Sequence, residues 1–539
     1  MKFVSLIICF LLINPIFGQK FVEFSSQVGL HYIFPGNDKQ QVGAGITVFD
    51  FNNDGWDDIF QPCGIFPSKL WMNNKGKFVD VTEEYNLDIL DHYFLQGACA
   101  ADFNNDGYED LFVGNSGNAN WMGDKKPALL LKNVRGKRFE PVYEETFSEI
   151  GNFPGATWGD VNQDGYVDLF LYNYIEIMAN IENDNNTKLI GYDPDCNPNR
   201  FYLSEEGLGF KAMEEAYGLQ DEGCGLAALF TDYDNDNDID LIMLNDFGAW
   251  NHLGNRLYRN EFPKQVFLDM SDSLGFYAEF YGMSVGPDDI NNDGYLHYYL
   301  TNIGRNYFYL NKESKFTEMA ESMQIDATWV NDSLKGTSWS GIFFDVENDG
   351  DVDLFVSKGY LESLEEVSYK DENKFFINEN GSFRDISKDT GINDSLINRG
   401  AALIDYDHDG DLDIVSGVIK SGRGNFRGLD QKIKLYKNVT KTKNKWLGIK
   451  LVGENGVNRS ALGCSVSFEL NGKKHIREVD SGSGHSSQST KTLYFGLGAN
   501  KTVRNIEIQW IGGGITKIDK LKSGKVYEIS TNGTTRVLY

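Results

Sequence analysis

DFNNDGWDD (50–58), DFNNDGYED (102–110) and DVNQDGYVD (160–168) are three versions of one nine-residue pattern, D-x-[DNE]-x-D-[GN]-x-x-[DH]. The pattern returns as DYDNDNDID (232–240), DINNDGYLH (289–297), DVENDGDVD (345–353) and DYDHDGDLD (405–413). Successive copies begin 52, 58, 72, 57, 56 and 60 residues apart, which is the signature of one structural unit repeated seven times.

Oxygen-bearing side chains on alternate positions of a tight loop suit a hard dication such as calcium, which takes about six to eight oxygens at roughly 2.3–2.6 Å. Positions one, three, five and nine supply side chains. In the first three loops these are Asp50, Asn52, Asp54 and Asp58; Asp102, Asn104, Asp106 and Asp110; and Asp160, Asn162, Asp164 and Asp168. The acid-rich fourth, sixth and seventh loops offer Asp232, Asp234, Asp236 and Asp240; Asp345, Glu347, Asp349 and Asp353; and Asp405, Asp407, Asp409 and Asp413. Position seven adds a backbone carbonyl from Trp56, Tyr108, Tyr166, Asp238, Tyr295, Asp351 and Asp411. Glycine at position six permits a left-handed turn, and Asn237 replaces it once, as asparagine can.

The fifth loop departs from the rule. It offers Asp289, Asn291 and Asp293 but closes on His297, and imidazole suits transition metals better than calcium. This site is expected to be weak, empty or differently occupied. Six structural calcium sites are expected, or seven if the fifth is filled.

The loop flanks, such as GITVFD (45–50), DLFV (110–113) and DLFLY (168–172), are short and rich in β-branched and aromatic residues, so each loop joins two strands. An EF-hand would need a twelve-residue loop between helices. A second strand–turn–strand element follows each loop, as in LWMNNKGKFVDVT (70–82) and FFINENGSFRDI (375–386). Four strands per repeat make a propeller blade. The last repeat stops at KLYKN (434–438), and its missing partner resembles KFVEFSSQVGL (20–30), so the N-terminal segment is expected to close the seventh blade.

The net charge of −29 follows from this pattern, since 23 carboxylates sit at ligand positions. Such acidity argues against nucleic acid or anionic membrane as a partner. Lys2, the apolar run 3–13 and Gly18 form an export signal over 1–18, with a mature start expected at Gln19. No later stretch is apolar enough to span a membrane as a helix. Cys63 with Cys99 and Cys196 with Cys224 are candidate disulfides, and free buried thiols are the alternative. The long third interval carries a polar insertion near 175–200, read as a protruding surface loop.

After a short connector (439–445), period-two stretches at 446–453, 464–470, 473–480, 492–498, 503–510 and 525–531 indicate a separate small β-sandwich of about seven strands over 446–539. The expected fold is therefore all-β: a seven-bladed propeller with calcium-binding loops over 19–438, then the sandwich.

The seven loops with their apolar flanks resemble the FG-GAP or VCBS repeats of integrin α-subunit propellers. Asn458, Arg459, Ser460 and 461–463, then 482–488, 495–498 and Trp510 before a glycine run, are similar to the ASPIC/UnbV domain of the cartilage-acidic-protein-like family. Two stretches depart from that family: Trp510, Ile511, Gly512 and Gly513 stand for its W-P-x-G, and His485 and Ser486 for an aromatic–leucine pair. The resemblance implies a calcium-binding extracellular protein of the adhesion type that binds a protein or glycan, with no catalysis to transfer. Its expected location is secreted or at the cell surface, or periplasmic if the source is bacterial. The competing readings are a calcium-dependent polysaccharide lyase or hydrolase on a propeller, and a purely structural module. The chain has seven histidines and lacks H-E-x-x-H and G-x-S-x-G, and the Gly/Ser-flanked His485 reads as a turn residue.

Overall fold

The computed structural model of the protein describes residues 21–34, 43–116, 126–142, 147, 151–182, 189–327, 329–331, 334–361, 368, 370–421 and 429–539. The expected export signal and mature start lie outside these residues. The chain is all-β, and seven four-stranded antiparallel sheets before residue 439 are blades of a β-propeller. In the first blade the strands run Thr47–Phe49, Asp58–Gln61, Lys69–Asn73 and Phe78–Asp80 from inside to outside. The seventh holds Asn398–Ile404, Asp413–Val418 and Lys434–Asn438, with Phe21–Glu23 as its outermost strand, Val22 facing Lys437. Innermost strands of consecutive blades lie side by side, and that of the seventh lies beside that of the first.

Inner strands are buried on both faces, so Cys224–Thr231 and Asp240–Asp246 read as unbroken runs of buried residues. Apolar side chains fill the space between blades. Phe51, Phe60, Leu111, Leu131 and Phe139, from the first two blades, share one cluster. At the seam Phe21 packs on Phe344 and Phe375 of the sixth blade.

A polar device repeats at the blade interfaces. An asparagine at or next to the end of the third strand donates its Nδ2 to a main-chain carbonyl of the preceding blade's loop. The bonds are Asn133 to Phe51 (2.7 Å), Asn260 to Val161 (2.9 Å), Asn311 to Tyr233 (2.7 Å), Asn378 to Ile290 (3.3 Å) and Asn438 to Val346 (3.0 Å). Asn73 donates to Tyr406 at 3.0 Å and so joins the first blade to the seventh. In the third blade Ser204 takes this position.

The insertion is a two-stranded hairpin, not a plain loop: Ile175–Glu182 pairs with Leu189–Cys196. Backbone pairing overrides its polar composition. Cys196 is bonded to Cys224, which ties the hairpin to the fourth blade. The other candidate disulfide is not formed. Cys63 packs with Phe34 and Ile419, whereas Cys99 packs in a different cluster with Phe112 and Trp158, and both are free thiols.

The C-terminal region has eight strands, not about seven, in two four-stranded sheets. Gly514–Lys522 and Thr535–Val537 are the strands that the period-two reading missed. Their exposed lysines and threonines lack the apolar alternation on which that reading relied. Nor does this region stand apart. Leu447, Val466 and Ile508 share one apolar cluster with Trp158 and Phe230 of the propeller. Its Gly/Ser-rich segment enters the propeller axis, where the Val48 N–H donates to the Gln488 carbonyl at 2.9 Å and the Gln488 N–H to the Ile46 carbonyl at 2.8 Å. Gly45 and Gly97 meet this segment so closely that an added Cβ would lie 2.0 Å from Ser486 O and 2.5 Å from Ser486 Cβ. Among the described residues no helix is long and apolar enough to cross a membrane.

Asn133→Ala removes the donor to a buried carbonyl and is expected to cost about 1–3 kcal/mol in urea unfolding. The number of bound metal ions should not change. Unchanged stability would show that the asparagine is not an interblade staple.

Candidate metal centres

Each nine-residue loop joins the first strand of a blade to the second, and position nine is the first residue of the second strand in all seven blades. Asp58, Asp110, Asp168, Asp240 and Asp353 are completely buried there. Such carboxylates need donors, and the fold supplies them. One oxygen of each accepts the N–H of the third-strand residue: Asn73 to Asp58 and Asn133 to Asp110 at 2.7 Å, and Ser204 to Asp168, Asn260 to Asp240 and Asn378 to Asp353 at 2.8 Å. Asp413 receives Asn438 in the same way at 2.7 Å.

Position one works from the other side. Asp50, Asp102, Asp160, Asp232, Asp289, Asp345 and Asp405 each accept the main-chain N–H groups of positions five and six at 2.7–3.1 Å. Position five then receives position seven. Asp54, Asp106, Asp164, Asp236, Asp293, Asp349 and Asp409 accept the N–H groups of Trp56, Tyr108, Tyr166, Asp238, Tyr295, Asp351 and Asp411. Gly55, Gly107, Gly165, Gly294, Gly350 and Gly410 have φ between 83° and 100°, and Asn237 has 71°, as the turn requires.

Positions one, three and nine converge. Ligand atoms of Asp232, Asp234 and Asp240, of Asp345, Glu347 and Asp353, and of Asp405, Asp407 and Asp413 all lie within 4.8 Å of one another, as do those of Asp289, Asp293 and His297. Asn52, Asn104 and Asn162 hold position three in the first three loops, and Asn291 in the fifth. In the acid-rich loops Asp236, Asp349 and Asp409 fall outside these tight groups, being turned toward position seven.

The donor set fits a hard cation. Among the described residues, Asp234 Oδ1, Asp240 Oδ2, Asp407 Oδ1 and Asp413 Oδ2 are buried oxygens with no hydrogen-bond partner. Like charges this close, out of water, need a counter-ion or a proton. Burial pushes the carboxyl of Asp50 up to about 6, those of Asp102, Asp232 and Asp289 to about 7, and those of Asp160 and Asp405 to about 8. Burial also raises the position-nine carboxyls well above the ordinary range.

Position four links the loops to one another, a role not foreseen from sequence. Asn53, Asn105, Gln163, Asn235, Asn292, Asn348 and His408 all have φ of 55–60°. Five of the amides reach the position-six carbonyl of the next loop, the first four being Asn53 to Gly107 (2.6 Å), Asn105 to Gly165 (2.8 Å), Gln163 to Asn237 (3.0 Å) and Asn235 to Gly294 (3.1 Å). Asn292 reaches Gly350 at 3.3 Å, and Asn348 the carboxylate of Asp411 at 2.7 Å. His408 completes the circuit by stacking on Trp56 of the first loop, 3.5 Å between ring centres, with Tyr539 on its other face at 3.5 Å.

The C-terminal sheets cover this rim. Lys450 lies 3.5 Å from Asp50, Lys473 2.9 Å from Asp351 and Arg477 3.4 Å from Asp288, while Lys491 pairs with Glu109. Ser460 accepts the N–H of Asp102 at 2.9 Å, and Tyr494 and Tyr539 donate to Asp405 at 3.1 and 3.3 Å. A polar cavity of about 620 Å³, lined by Asp50, Asp102, Glu109, Lys450, Lys491 and Glu528, remains beside the first two loops. His485 lies at the axis, fully buried, with Nδ1 3.1 Å from the Met283 carbonyl and its ring edge-on to Trp339. Burial holds its pKa down to about 3, so the ring is neutral.

Comparison with known proteins agrees with this architecture. Residues 102–171 and 289–356 match the FG-GAP-like repeat, and 454–536 match the ASPIC and UnbV domain. The chain carries both. It is similar to cartilage acidic protein 1 of Xenopus tropicalis (27% identical over 210 residues) and of Homo sapiens (26% over 212 residues). These matches take in 39% of this chain and only 29% of each relative. Among solved structures, similarity extends to BBS1N in complex with ARL6DN, at TM-score 0.38 and 8% identity over 78% of this chain and 97% of that one. The SapL1 lectin in complex with alpha methyl fucoside gives TM-score 0.33 and 9% identity over 65% and 98%.

Carboxyls raised on folding favour the folded state while protonated, so their contribution is full below about pH 4, the unfolded carboxylate value, and is lost as pH rises toward 8. The chelated protein should therefore melt at a lower temperature at about pH 8 than at about pH 5. Saturating calcium, which needs the ionised form, should shrink or reverse that loss. Scanning calorimetry at several pH values checks this, and a flat chelated profile would contradict it.

Proposed function

We propose that the chain is a secreted calcium-binding recognition protein of the adhesion type, in which calcium is structural and the ligand is an extracellular protein or glycan. On this reading the export signal occupies 1–18, the propeller 19–438, the connector 439–445 and the sandwich 446–539. Six ions sit in the first, second, third, fourth, sixth and seventh loops. Their role is to cancel buried like charge and hold each loop in the turn that joins it to its neighbours. No reaction is assigned to the chain. A calcium-dependent polysaccharide-active enzyme is the alternative.

The observation that carries the reading is the coverage of the loop rim and propeller axis by the chain's own C-terminal sheets. Main-chain pairing of Gln488 with the first blade and full burial of His485 leave the axis filled. The opposite rim bears the connections between second and third strands, among them the disulfide-anchored hairpin Ile175–Glu182 and Leu189–Cys196. On this reading ligand recognition falls to that rim.

Two measurements test this. Calcium titration calorimetry of the wild type should give six ions, and Asp409→Ala should remove one and lower the melting temperature only with calcium present. Equal losses with and without calcium would refute the ligand assignment. Second, panels of extracellular matrix proteins and glycans should retain the wild type and lose a variant with 177–194 replaced by a short turn, at unchanged calcium count. Depolymerisation of a polysaccharide by the wild type would favour the enzyme instead.

A further inference from the structure

The fifth loop keeps the shape of the others but changes the chemistry of one atom. In six blades the position-nine carboxylate turns one oxygen to the third-strand N–H and the other toward the loop. His297 occupies the same place, fully buried at the start of the strand His297–Leu300. Its Nδ1 accepts the main-chain N–H of Asn311 at 3.1 Å, the counterpart of the Asn260 N–H on Asp240. Its Nε2 takes the place of the second oxygen, 4.0 Å from Asp289 Oδ1, and has no hydrogen-bond partner among the described residues.

The tautomer follows from this contact. A backbone N–H only donates, so Nδ1 must present its lone pair to Asn311. A neutral imidazole carries one proton, which then resides on Nε2. The loop thus receives an N–H where its six counterparts place a carboxylate oxygen. A protonated ring nitrogen offers no lone pair to any metal, and its positive edge repels a cation. The rest of the loop is adjusted to match. It has two carboxylates at ligand positions, Asp289 and Asp293, where the fourth loop has four. A lysine covers it as well: the Lys474 side chain lies against Gly294, where an added Cβ would be 2.9 Å from Nζ, and its main-chain N–H donates to Asn292 at 3.2 Å.

We infer that His297 takes the place of the ion in the fifth loop, its Nε2–H facing the carboxylates of Asp289 and Asp293, so that this blade is held without calcium or a transition metal. The inference rests on the calcium reading of the other six loops. It gives the ring one metal-independent blade, with Lys474 of the C-terminal sheets lying on its loop.

The test uses the full chain. His297→Asp restores the nine-residue pattern and should bind one calcium more than the wild type, with a further calcium-dependent rise in melting temperature. Long-range nitrogen–proton NMR of the wild-type histidines, with His297 assigned by its loss in His297→Gln, should report the Nε2–H form. An Nδ1–H form, equal calcium counts in wild type and His297→Asp, or a cobalt absorption band that His297→Gln abolishes would each overturn the proposal. If neither protein binds calcium, the calcium reading itself fails, and the NMR result still decides the tautomer.

Discussion

Everything in this molecule depends on a carboxylate that the fold removes from water at the start of the second strand in six of the seven blades. Asp58, Asp110, Asp168, Asp240, Asp353 and Asp413 are at most 1% exposed, and each accepts a third-strand N–H. That bond fixes the register of two strands, but it leaves charge beside the position-one aspartate. Two such charges about 4 Å apart repel by roughly 4 kcal/mol at an effective dielectric near 20. A cation at the loop would turn this cost into a crosslink, and the same loops account for much of the acidic composition.

The ligand loops are also the joints of the ring. Residues at position four tie each loop to the next, and the third-strand asparagines tie blades back to the loop before them. A cation held at one loop would therefore stiffen a circuit, and the stacked Trp56, His408 and Tyr539 carry that circuit across the seam. A ring assembled this way resists opening at any single interface, because every blade is held at its hydrophobic face and at its rim. In the fifth loop the Nε2 of His297 lies 4.0 Å from Asp289 Oδ1, where the other blades turn a carboxylate oxygen toward the loop.

The C-terminal sheets change what the propeller offers to a partner. They bring Lys450, Lys473, Arg477 and Lys491 to the acidic rim and send Gly482–Gln488 down the axis. The two surfaces most often available on a propeller, its axial opening and its loop rim, are therefore used internally. The opposite rim carries the longer connections and the hairpin bonded to the fourth blade.

The seven-fold repeat, the position of every loop and the residues within it were legible in the sequence, because spacing and residue type are local properties of a nine-residue turn. So was the partner of the last blade, since Phe21–Glu23 echoes the outer strands it imitates. The interblade role of Asn133 and its counterparts was not legible, because their acceptors lie in another repeat. The strand Gly514–Lys522 escaped because its exposed face carries no apolar alternation. Cys63 and Cys99 remained unpaired because packing sent them into separate clusters. By itself the sequence determined the blades and the acidic loops that could hold a cation, both written in short-range pattern. Only the tertiary structure decided how the loops join into a ring, which proton His297 carries, and that the C-terminal sheets fill the axis. Each of these depends on contacts between residues far apart in the chain, whose partners no local pattern specifies.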